Sequence, residues 1–108
     1  MDEDRAVQRL KNKTTVEILW PYLLSLMRHK PIYAYEIRQK IEDTYGFKVG
    51  QVTSYMVLYK LETSGHVTTK WLEVEARQRK YYTITKKGEK ALDESIKWFE
   101  KVSNDLKK

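Results

Sequence analysis

Apolar and polar positions along this chain follow two rhythms, one helical and one alternating, and the helical rhythm is sharpest in GQVTSYMVLYKLETSG, Gly50 to Gly65. Ser54, Leu58 and Leu61 recur at i, i+4 and i+7 with Tyr55 beside them. A helix there lays one stripe on a core and turns Gln51, Thr53, Met56 and Lys60 outward. Gly65 suits the C′ position, where left-handed backbone is cheap only without a Cβ. Upstream, Val16, Leu19, Trp20, Leu23, Leu24, Leu26 and Met27 cover well over half of a helix expected from about Thr15 to His29, with Thr14 and Glu17 at capping-box spacing. A helix that apolar is enclosed from several sides, at the centre of a domain or shared with a second subunit. Pro21 falls inside it and predicts a kink, because it removes the hydrogen bond to the Glu17 carbonyl. Tyr33, Ile37, Ile41 and Tyr45 step by four ahead of Gly46 and predict another helix. The connector Phe47-Lys48-Val49 then turns the chain into the central helix at the large angle of a helix-turn-helix.

The alternating rhythm follows Gly65. Val67, Thr69 and Trp71 alternate with Thr68, Lys70 and Leu72, and Tyr82 and Ile84 share one face of a return strand, with Glu75 to Gln78 between the two runs. Thr85 is placed to cap a last helix in which Leu92, Ile96, Phe99, Ser103 and Leu106 form a heptad-like seam, widened by Ala91, Trp98 and Val102. Two copies packing together, or return packing on the Leu19 to Met27 helix, would bury that seam. Residues 2–12 place Asp2, Glu3 and Asp4 ahead of Arg5, Arg9 and Lys11, the order a helix dipole favours, and read as a short helix or arm. The expected fold class is mainly α with a small β-hairpin wing: a winged helix-turn-helix over residues 1–85, followed by a C-terminal dimerisation helix over 86–108.

Charge adds a partner to this picture. Lys and Arg number 21 against 15 Asp and Glu in 108 residues, a formal charge of +6. That excess favours nucleic acid or an anionic surface. Between His66 and Lys90 seven bases stand against three acids, so most of the excess lies in or just after the hairpin. The absence of cysteine excludes disulfides, thiolate metal sites and a cysteine nucleophile. The acidic N-terminus has no apolar signal region, and ILWPYLLSLM falls well short of the roughly 20 residues a bilayer span needs. A cytoplasmic protein with no membrane partner is expected. His29 and His66 lack acids at ligand spacing, and no nucleotide-loop, nucleophile-elbow or zinc-helix pattern appears, so neither a metal, a cofactor nor catalysis is expected.

The candidate DNA contacts follow from these elements. Gln51, Thr53 and Ser54 open the central helix and are candidates for base-edge or phosphate contact; glutamine suits adenine, and threonine is permissive. Tyr55 has two readings, a hydroxyl for a phosphate or a core aromatic. Lys48 and Lys60 suit phosphates better than bases. Lys70, Arg77, Arg79 and Lys80 flank one hairpin turn, and Arg77 or Arg79 suits a minor groove. Lys80 alternates toward the side of Tyr82, so its stem packs while its ammonium reaches outward.

The segments PIYAYEI, YMVLYKLETSGHVT and RQRKYYTITKKGEKAL together resemble the PadR family of winged-helix transcriptional regulators, over about Thr15 to Leu92. The sharpest parts are the array of Tyr55, Leu58, Leu61, Glu62 and Gly65, and the return Arg79 to Tyr82 with Thr85 and Gly88. The resemblance implies a dimeric repressor that binds double-stranded DNA, with the C-terminal helix, here Leu92, Ile96, Phe99, Val102 and Leu106, supplying most of the homodimer interface with help from the N-terminal one. It also implies a small aromatic effector at that interface, with Trp98 as a stacking platform. Two departures stand out: Ala34 where the family usually has glycine, and Ser54 where it has leucine. Ser54 either weakens the packing of the helix's first turn or frees a hydroxyl for DNA. The rival function is a winged helix used as a protein-interaction module, with the charge serving solubility alone.

Overall fold

The computed structural model describes residues 4–108. Its first helix, α1 (Arg5–Lys13), is capped by Asp4, whose carboxylate accepts from the Ala6 and Val7 amides at 2.7 and 3.4 Å. No residue of α1 is buried, and Val7 and Leu10 stand exposed. The arm expected from the N-terminal charge order is therefore a helix; Asp2 and Glu3 of that pattern lie outside the described residues.

The long helix expected from Thr15 is shorter and begins later. Residues Val16–Ile18 make a 3₁₀ turn, and α2 spans Trp20–Met27. Pro21 sits in the first turn of α2, where a missing N–H breaks no intrahelical bond, so the predicted kink is absent. Nor does Thr14 cap this helix. It is the C-cap of α1, with Oγ1 donating to the Leu10 carbonyl at 2.8 Å, while Glu17 pairs with Lys13. Tyr22 ties the two helices by donating its hydroxyl to the Thr14 carbonyl, and burial, with Tyr45 beside it, pushes that phenol above its usual pKa.

After Pro31 the chain forms a two-residue strand, β1 (Ile32–Tyr33), a 3₁₀ turn at Ala34–Glu36, and then α3 (Ile37–Tyr45). Tyr33 thus belongs to a sheet and not to the helix that its spacing suggested. Gly46 ends α3 at φ +80, its N–H bonded to the Glu42 carbonyl. Helix α4 (Gln51–Thr63) starts at Gly50 and stops before Gly65, which takes φ +82. Strands β2 (Val67–Val74) and β3 (Arg77–Ile84) pair antiparallel, and β1 joins the free side of β3, giving the order β1-β3-β2. The hairpin turn is only Glu75 and Ala76, both at positive φ (51 and 62). Such a turn matches the twist of its strands but strains residues that carry a Cβ.

Helix α5 (Lys86–Leu106) closes the chain, capped by Thr85, which accepts from the Gly88 amide and donates to the Gly65 and His66 carbonyls. The core gathers one face of every element but α1 and the 3₁₀ turns: Leu23, Leu24 and Met27 of α2, Ile37 and Ile41 of α3, Leu58 and Leu61 of α4, Ile32, Val67 and Tyr82 of the sheet, and Leu92 of α5. Leu92 is only 3% exposed, so it packs within its own chain and does not stand in a seam free for a second copy. Arg28, the C-cap of α2, bonds Asp93 of α5 at 2.5 Å beside it. Beyond Leu92 the apolar residues of α5 have no such cover.

Candidate nucleic-acid interface

Helix α4 is held by its inner stripe, with Val57 and Glu62 half-buried beside it, and exposes the rest. Ser54, Leu58 and Leu61 are buried, as the spacing requires, and Gln51, Thr53, Met56 and Lys60 face solvent. Gly50 provides no side-chain cap, so the first-turn N–H groups have no side-chain acceptor from it. The turn before it is rigid: Val49 is buried, its carbonyl accepts from Arg38 Nε at 3.1 Å, and Phe47 packs edge-on against Tyr22 at 5.0 Å. Lys48 is exposed in that turn.

Ser54 requires a correction. It is fully buried, and its Oγ donates to the Gln51 carbonyl at 2.9 Å, so no hydroxyl is freed for DNA. Its neighbour Tyr55 is exposed, which removes the core reading of that residue. Val52, passed over in the sequence, is 72% exposed at the front of α4, with Met56 and Tyr59 below it on the same outward side. Its signal was already in the stripe: two residues before Ser54 on a helix is nearly the opposite face. An apolar group there fits a thymine methyl.

The four hairpin bases separate into two faces. Cross-strand partners share a face, and the register pairs Lys70 with Tyr81, Leu72 with Arg79 and Val74 with Arg77 on the outer one. Lys80 pairs with Trp71 on the other, beside Thr69 and Tyr82. There its ammonium meets Glu62 of α4 at 3.5 Å and lies 5.4 Å from the Tyr82 ring. Burial pushes the Lys80 pKa down, but Tyr82 and Glu62 outweigh it and leave it above the ordinary lysine value. Lys80 therefore fastens the hairpin to α4, while Lys70, Arg77 and Arg79 remain for an outside partner. Glu62 also accepts from Thr69 at 3.1 Å, which makes it the tie between α4 and the hairpin.

Two clefts meet at Trp20. One, of about 410 Å³, runs between the 3₁₀ turn and the back of α4, past Val57, Leu61 and His66. The other, of about 370 Å³, is lined by Trp20, Ala91, Trp98 and Phe99, with Trp98 62% exposed. Among the described residues no group of three or more His, Asp or Glu gathers to hold a metal ion, and no helix is long and apolar enough to cross a membrane.

The comparison that decides the family is a match to the model of the transcriptional regulator PadR-like family over residues 23–94. The chain belongs to the PadR-like family. Its members are transcriptional regulators and not enzymes. Solved PadR-like and related structures agree with the fold. A protein of Streptococcus mutans is 30% identical, with a TM-score of 0.70 over 82% of this chain and 82% of that one. A transcriptional regulator from Clostridium thermocellum is 26% identical, with a TM-score of 0.72 over 82% of this chain and 88% of that one. Bacillus subtilis PadR in complex with operator DNA shares the fold at 23% identity and a TM-score of 0.68, over 73% of this chain and 46% of that one. No curated protein matches the sequence. The matched stretch holds α3, the turn, α4 and the whole hairpin, the parts from which a PadR-like winged helix-turn-helix is built.

Proposed function

We propose that this PadR-like chain is a homodimeric, sequence-reading regulator that represses transcription by occupying an operator. The observation that carries the reading is the split character of α4: an inner stripe locked into the core, and an uncapped front that presents Gln51, Val52 and Thr53. Its first turn enters a major groove, and Lys48, Lys60, Lys70, Arg77 and Arg79 meet the backbone beside it. The likeness to a chain solved in complex with operator DNA supports DNA as the partner. Gel-shift titration and footprinting on the DNA flanking its own coding region test this. A protected site with half-sites about 34–36 Å apart, or a multiple, is expected. Affinity that is indifferent to sequence at every salt concentration overturns it.

Pairing follows from α5. Ile96, Phe99, Val102 and Leu106 all stand exposed, Leu106 at 82%. A continuous apolar strip of that kind is sticky alone and is buried when two copies pack. The domain boundary at 85/86 is then one of role, DNA reading before it and pairing after it, since Leu92 anchors α5 in the shared core. An effector with a flat aromatic body fits the cleft between Trp20 and Trp98. Tryptophan emission unchanged by a panel of planar aromatic compounds counts against that gating.

A further inference from the structure

The outer face of the sheet has a composition that neither the core nor the reading helix accounts for. Register places Lys70, Leu72, Arg79, Tyr81 and Tyr33 on the side turned away from buried Val67 and Tyr82. Glu73, the one acid of the three strands, pairs with Gln78 on the opposite side. The aromatic rings of this face are organised. Tyr33 stands 5.8 Å from Tyr35, stacked at 28°, and 5.7 Å from Tyr81, while the Arg79 guanidinium lies 4.9 Å over the Tyr33 ring.

The row continues past the sheet edge. Tyr35, 76% exposed in the turn that leads into α3, joins Arg38 and Lys48 in lining a cleft of about 360 Å³ that also holds Gln39 and Glu42. Arg38 is tethered through Nε to the Val49 carbonyl, one residue ahead of the Gly50 that begins α4. Its terminal nitrogens remain to meet an anion, and they do so from the turn that aims the reading helix.

We propose that Tyr33, Tyr35, Tyr81 and Arg38 join the lysines and arginine beside them in one backbone track, running from Lys70 and Arg79 on the hairpin to Lys48 at the turn. It takes the phosphates of the same duplex whose groove α4 enters, and so it rests on the DNA-binding reading given above. Phosphate oxygens are recognised by cations and by hydroxyl or N–H donors in fixed positions. Stacking on Tyr33 holds the Arg79 fork in one orientation, so less freedom is lost on contact. A single strand is disfavoured as the occupant. Bases need open ring faces, and the central Tyr33 ring is already engaged by two tyrosines and Arg79, while Tyr35 and Tyr81 are each turned against Tyr33.

Salt titrations of binding to one duplex separate the contributions. Tyr35→Phe loses a neutral donor and is expected to weaken binding about tenfold at every salt concentration with the slope unchanged. Arg38→Gln removes a cation and lowers the slope of log affinity against log salt by about 0.9 for every sequence tried. Arg38→Lys keeps the charge and so keeps the slope; a slope lost in both variants assigns Arg38 to holding the turn and removes it from the track. Gln51→Ala, which changes preference between sequences, reports on the reading helix independently. If it does so while the Tyr35 and Arg38 variants bind like the wild type, the track is overturned and the reading helix stands. Wild-type protein that binds no duplex overturns both. A single strand of the same sequence that binds more tightly than the duplex, and loses that affinity on Tyr35→Ala, overturns the choice of occupant.

Discussion

At Ser54 two physical demands meet in one side chain, and burial prevails. The spacing that put a hydroxyl near the front of α4 is the same spacing that puts it under the helix, and the Gln51 carbonyl satisfies it there. Ser54→Ala should therefore leave DNA affinity within about twofold and cost no more than about 1 kcal/mol of stability, the worth of one ordinary hydrogen bond. Affinity falling with stability intact would return Ser54 to the interface. Gly88 shows the opposite case, a position where nothing larger fits. A Cβ there would lie 2.2 Å from the His66 carbonyl oxygen and 2.8 Å from Ile84 Cγ1. Alanine normally favours a helix over glycine by about 1 kcal/mol, but backbone cannot yield to a contact that short. Gly88→Ala is expected to lower the urea midpoint by a loss of about 1–3 kcal/mol or more. The burial of Ser54 was legible from its place in the stripe, whereas the crowding at Gly88 was not. Packing density at Gly88 comes from residues 22 positions away along the chain, at His66, and no local pattern reports it.

Among the elements, α4 and α5 were readable because each carries one long apolar stripe at helical spacing, though only the start of the α5 stripe meets the core. The start of α2 was not. Its apolar run continues upstream through the 3₁₀ turn, so the run conceals the boundary that Pro21 marks. Strand β1 was hidden for another reason: two residues carry no period, and Ile32 and Tyr33 become a strand only by pairing with Tyr82 and Tyr81 far along the sequence. The split of the wing bases was legible in part, since alternation already placed Lys80 with Tyr82, but its Glu62 partner belongs to another element. The hairpin turn invites a test at this scale. Glu75→Asn with Ala76→Gly replaces two strained residues by the pair such a turn prefers, and about 1 kcal/mol of relief should raise the melting temperature by several degrees. On the proposed pairing, helix α5 divides its labour along its length. Leu92→Ala should destabilise each chain by about 2–5 kcal/mol, whereas Phe99→Ala with Leu106→Ala should leave a folded chain whose sedimentation shifts toward the single copy. The reverse pattern would place the pairing surface elsewhere.

The whole molecule is drawn out, with extents of 54 × 33 × 21 Å and a radius of gyration of 15.6 Å. A compact domain of this length has a radius near 13 Å. The difference comes from helices that extend beyond any core of their own, as expected of a chain completed by a second copy. If pairing buries those ends, the melting temperature should climb with protein concentration, and a value constant over a hundredfold dilution would argue for a self-sufficient chain. The bareness of α1 sharpens this. It has nine residues and none of them buried, and isolated helices below about 12–15 residues hold together poorly in water. In a lone chain its amide protons between Val7 and Lys13 should trade with deuterated solvent almost as fast as those of an open strand. Their slowing would then clock the arrival of a companion, one residue at a time, without any label on the protein.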